Sequence, residues 1–74
     1  MPTIDMVATG LKIKEKIAGK GMAVKDVQKV FGFASTYPIY KWINGQSLPA
    51  IENLVVLAKI MDTTVDDLLV VKEP

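Results

Sequence analysis

Apolar residues recur along this chain at three- and four-residue intervals, the period of a helix with one side against a core. Met6, Gly10, Ile13 and Ile17 form the first such stripe and predict a helix over residues 5–20. Asp5 suits its start, where an anion meets the positive end of the helix dipole, and Gly21 supplies a left-handed stop. A second helix is expected over Val24–Phe31, with Val27, Val30 and Phe31 available to the core. Gly32 breaks it, Phe33 and Ala34 continue the turn, and Ser35 stands at a capping position. The third helix is expected over residues 36–43 and buries Ile39, Trp42 and Ile43. Pro38 falls in its first turn, where a missing N–H costs little. Asn44-Gly45 closes it, and residues 46–49 form a loop. A fourth helix over 50–61 turns Ile51, Leu54, Leu57, Ala58 and Met61 inward. Thr64-x-x-Asp67 has the spacing of a capping box and opens a short fifth helix over 65–70 that packs Leu68 and Leu69. The tail, 72–74, is expected to fray.

The pattern holds no repeat, linker or low-complexity tract, so residues 1–74 read as a single domain of the all-α class. Half of its residues are hydrophobic and none is cysteine, so its stability must come from helix packing alone. Residues 1–9 carry Asp5 and no long apolar run, unlike a signal peptide. The most apolar segment, 54–61, is broken by Lys59 and is far short of the roughly 20 residues that span a bilayer. A soluble, cytoplasmic protein is the expectation.

Charge refines the picture. The net charge is only +1. Residues 1–49 nevertheless set Lys12, Lys14, Lys16, Lys20, Lys25, Lys29 and Lys41 against Asp5, Glu15 and Asp26. Residues 50–74 set Lys59 and Lys72 against Glu52, Asp62, Asp66, Asp67 and Glu73. One end of the chain is therefore suited to phosphates and the other is repelled by them. Chemistry is sparse: with no histidine, cysteine or arginine, a serine or threonine nucleophile would have only lysine or a carboxylate as its base. Gly19-Lys20-Gly21 lacks the strand and spacing of a phosphate loop. Asp66-Asp67 reads as compensation of a helix dipole rather than a metal site. No enzymatic activity, cofactor, metal or small-molecule ligand is expected.

What remains is a constellation of two short helices, 24–31 and 36–43, meeting at Gly32. A helix pair joined by a tight glycine turn is the helix-turn-helix arrangement. Its first helix crosses the DNA backbone with free N–H groups, and its second lies in the major groove. With Ile39, Trp42 and Ile43 inward, Thr36, Tyr37, Tyr40 and Lys41 face out. Lys25, Ser35, Asn44 and Gln46 complete the set expected to contact DNA.

From Gly10 to Leu69 the chain resembles the Cro/repressor (Xre-type) helix-turn-helix family. The resemblance rests on an ordered set: Ile13-Lys14, Gly21-Met22, Lys25-Asp26-Val27, Phe31-Gly32-Phe33, Ile39-Tyr40-Lys41-Trp42, Asn44-Gly45, Leu48-Pro49, Glu52-Asn53-Leu54, Leu57-Ala58 and Val65-Asp66-Asp67-Leu68-Leu69. It implies a compact five-helix bundle of the lambda-repressor-like type that binds double-stranded operator DNA, usually as a homodimer, and regulates transcription. The chain departs from the family at Val24, where glutamine often holds a phosphate, and at Ala50, where serine usually caps. It departs again at Tyr37 and Tyr40, on a surface where arginine or glutamine is frequent. A helix-turn-helix fold kept as a protein-interaction module, with weak or no DNA binding, is the alternative. The apolar run at 68–71 would then be available to another subunit.

Overall fold

The computed structural model describes residues 1–73. In chain order it contains β1 (Thr3–Ile4), α1 (Met6–Gly19), α2 (Val24–Phe31), α3 (Tyr37–Ile43), α4 (Ile51–Ile60), α5 (Val65–Leu68) and β2 (Val71–Lys72). Asp5 starts α1 as its N-cap: Oδ1 accepts the Ala8 N–H at 3.0 Å, a contact typically worth about 1 kcal/mol. Helices α1 to α4 then end by a shared device, in which the two residues after the last turn donate back to its carbonyls. At α2, Gly32 N–H donates to Lys29 O and Phe33 N–H to Gln28 O, both at 3.2 Å. Gly32 sits at φ +71°, the left-handed conformation this reversal needs. α4 ends the same way through Asp62, at φ +56°. Aspartate tolerates that region better than most side chains.

The core is the meeting of the inward stripes. Ile13 and Ile17 of α1 join Val27 of α2, Ile39, Trp42 and Ile43 of α3, Leu57 and Ala58 of α4, Met61 just beyond it, and Leu68 of α5. Two expected core positions are corrected. Val30 is 51% exposed, because Val24, Val27 and Phe31 set the inward line of α2 and Val30 falls on its flank. Ile51 is 80% exposed: it opens α4 at the flank of the inward line set by Leu54, Leu57 and Ala58.

The fold is mostly helical, as expected, but the end of the chain differs from expectation by adding a small two-stranded sheet. α5 stops at Leu68 because the next residues turn back to α1. The Val70 N–H donates to the Thr9 hydroxyl at 3.0 Å, and Val70 O accepts the Asp5 N–H at 2.8 Å. Thr9 is fully buried, so this bond satisfies its hydroxyl and a backbone N–H at once. From there β2 runs antiparallel to β1, with Thr3 opposite Lys72 and Ile4 opposite Val71. Lys72 is therefore paired where a frayed tail was expected, and Pro74 lies outside the described residues. The apolar run 68–71 is largely spent inside the chain: Leu68 is buried, Leu69 and Val70 are half-buried, and only Val71 is exposed.

Among the described residues, no helix is long and apolar enough to cross a membrane.

Candidate nucleic-acid interface

The surface of interest is built on α3, and its placement starts at α1. Gly10 faces the end of α3 so closely that a Cβ there would meet the carbonyl oxygens of Trp42 and Ile43, the latter at 2.5 Å. No other residue allows the two backbones this approach. The turn after α3 is held likewise: a Cβ on Gly45 would lie 2.8 Å from Val7 Cα. Helix α3 is thus pressed onto α1 along its last turn. The same last turn is held from the other side by an aromatic trio, in which Trp42 meets Phe31 at the end of α2 and Phe33 in the turn after it. The Phe31 and Phe33 rings stack at 5.0 Å, and Trp42 meets both edge-on, at 5.6 and 5.9 Å. Gln28 Nε2 donates to Phe33 O at 3.0 Å and ties the turn back to α2.

With Ile39, Trp42 and Ile43 buried, the other side of α3 is left to solvent. Tyr37 is 66% exposed and Tyr40 47%. The Lys41 ammonium lies 5.6 Å from the Tyr37 ring centre, a cation–π contact of about 0.5–1 kcal/mol at an exposed site. Ser35 is exposed, and its Oγ accepts the Tyr37 N–H at 3.2 Å. Thr36, half-buried, occupies the N-cap position without a side-chain capping bond, so the cap is one residue earlier than the helix boundary implies. Asn44 and Gln46 are exposed on either side of Gly45. Their N–H groups are tied to Tyr40 O and Lys41 O, both at 2.9 Å, while their side chains make no hydrogen bond among the described residues. Seven of the eight expected contact residues thus lie on one stretch, 35–46. Lys25 stands apart, exposed in the first turn of α2.

Two features of this surface escaped the sequence reading. Asp26, in the first turn of α2, accepts the Ala23 N–H on Oδ2 at 2.8 Å. That carboxylate occupies the helix end at which a phosphate was expected, and Ala23 has no side-chain oxygen to complete a capping box. The signal was present in the Ala-x-x-Asp spacing. The second feature is electrostatic. Lys16 pairs with Asp67 at 2.9 Å, and Lys20 with Asp62 at 4.0 Å. The polarity along the sequence is therefore partly cancelled in space, as two lysines of the basic half fold onto acids of the other. The Thr63 hydroxyl, donating to Asp67 Oδ2 at 2.7 Å, and then the Lys16 ammonium hold the Asp67 carboxyl below the usual carboxylate range. Lys12, Lys14, Lys25, Lys29 and Lys41 enter no ion pair among the described residues.

The arrangement offers ring hydroxyls, amides and one cation from a rigid helix and the turn after it. Comparison with protein-family models, curated proteins and solved structures yields no match.

Proposed function

We propose that this chain is a sequence-specific regulator of transcription that binds double-stranded DNA as a dimer, with α3 in the major groove. α2 and α3, joined at Gly32, act as a helix-turn-helix unit of the Cro/repressor type. The observation that carries the reading is the division of α3: one side is sealed into the core, and the other presents Tyr37 and Tyr40 to solvent with Lys41 half-buried beside them. A rigid helix of this kind fits the groove, where phosphate contacts position a protein and side chains at base edges specify sequence. Tyr37, Tyr40, Thr36 and Ser35 supply hydroxyls for bases or phosphates. Lys41 and Lys25 supply cations, and Asn44 and Gln46 reach the backbone from the turn. The chain acts without cofactor or catalysis, in the cytoplasm.

The test is selection of bound duplexes from a random pool at two salt concentrations. The reading requires enrichment of a sequence with two half-sites about 34–36 Å apart, one helical turn. It also requires affinity that falls with salt by about one log–log unit per phosphate contacted. A pool recovered unenriched at both salts would reject it.

Two observations favour a second reading, a protein-interaction module. Asp26 places a negative charge at the N-terminus of α2, and Lys41 lies over a tyrosine ring. Failure to retard any duplex at low salt, with a stable protein complex recovered instead, would select that reading.

A further inference from the structure

Helix α4 leaves five positions exposed: Ile51, Glu52, Val55, Val56 and Lys59. At 3.6 residues per turn they fall within one arc of about 140°, and every other position of the helix is buried or half-buried. Three of the five are apolar, with Ile51 80%, Val55 49% and Val56 38% exposed. The two charges are opposite in sign and equally far in sequence from the midpoint between Val55 and Val56. Among the described residues neither Glu52 nor Lys59 has an ion-pair partner.

We propose that this face binds the same face of a second copy of the chain, the two α4 helices running antiparallel about a twofold axis at Val55–Val56. That operation sets Val55 of each helix against Val56 of the other, with Ile51 at either end of the seam. It also sets Glu52 of each helix beside Lys59 of the other, so one symmetry element forms both ion pairs. A parallel arrangement would oppose like charges, and the face therefore selects its own orientation. Twofold interfaces between identical chains are self-complementary in this way. The helix is only about 15 Å long, too short a seam to reach the roughly 800 Å² per partner of a standard stable interface. The free protein therefore associates weakly, and adjacent half-sites on a duplex would strengthen the pairing by raising effective concentration. This deepens the dimeric part of the reading above. It is tested without DNA, so either can fail alone.

The experiment is sedimentation equilibrium of the full chain up to millimolar concentration, with circular dichroism as a check on folding. The wild type is expected to follow a monomer–dimer equilibrium. Glu52→Lys and Lys59→Glu each turn two attractive contacts into two repulsive ones and are expected to lower the association constant about tenfold. The double variant Glu52→Lys/Lys59→Glu restores opposite charges across the axis and returns association close to the wild-type value. It does so although both swaps oppose the α4 dipole, which separates rescue of the interface from any effect on the fold. A wild type that stays monomeric throughout, or a double variant that associates no better than the single ones, overturns the proposal.

Discussion

Replacing Gly10 by alanine drives a methyl group into the backbone of α3. The added Cβ would lie 2.5 Å from Ile43 O and 2.9 Å from its carbonyl carbon, with Trp42 O also in contact. Relief means moving α1 and α3 apart by about 0.9 Å, the difference between 2.5 Å and the 3.4 Å at which ordinary contact begins. Backbone carbonyls cannot rotate out of the way as a side-chain end can. The cost therefore lies near the upper end of the usual overpacking range, about 3 kcal/mol. Alanine regains about 1 kcal/mol over glycine inside a helix, leaving a net loss of about 2 kcal/mol. Each kcal/mol moves the melting temperature of a domain this size by about 4–8 °C, so a fall of about 8–16 °C is expected. Gly19→Ala is the control: it lies at the end of the same helix with nothing within 4 Å of the new Cβ, and it should leave stability unchanged or slightly raised. Thermal melts followed by circular dichroism decide the matter. Trp42 fluorescence reports whether α3 has shifted. A Gly10→Ala protein as stable as Gly19→Ala would refute the argument that this contact sets the pose of α3.

Asp26→Asn keeps an oxygen for the Ala23 N–H but removes the charge at the start of α2. It should cost about 0.3–1 kcal/mol in helix-dipole energy while strengthening duplex binding about twofold to fivefold at low salt; weaker binding in a fluorescence titration would contradict this. The lowered pKa of Asp67 means that its stabilisation is present above the ordinary carboxylate value of 3.8 and lost as pH falls through the lower folded value. The melting-temperature gap between wild type and Asp67→Asn should therefore be full at neutral pH and close in acid; a gap indifferent to pH is the opposing result. Lys41→Ala should weaken binding to all duplexes alike and reduce the salt slope by about one, whereas Tyr37→Ala should change which sequences are preferred. If neither variant alters binding in competition assays, the outward face of α3 is not the contact surface.

The helices were legible where local chemistry and period agreed. α2 has the expected bounds because the Val27 and Phe31 positions and the Gly32 stop point to one answer, although Val24 and not Val30 completes its inward line. The inward triad of α3 was legible for the same reason: three large apolar residues at positions 39, 42 and 43 fit only one side of a helix. The β1–β2 pair was not legible, since two-residue strands carry no periodicity and form only because Val70 is tied to Thr9 and Asp5, more than sixty residues away. The same tether cuts α5 short of residue 70. Ile51 and Val30 show the limit of reading burial from hydrophobicity, for an apolar residue beside an inward line can remain on the surface. On the candidate site, the exposed tyrosines followed from the burial of their neighbours. The Phe31–Phe33–Trp42 cluster depends on the angle at which α2 and α3 meet, and the Lys16–Asp67 pair on how distant segments meet; spacing along the chain encodes neither.

The most direct measurement is amide chemical-shift mapping of the isotope-labelled protein titrated with a duplex recovered from the random pool. Perturbations should concentrate at residues 35–46 and at Lys25, and fade as salt is raised. Shifts confined to other surfaces, or none at any salt concentration, would contradict the placement of DNA on α3.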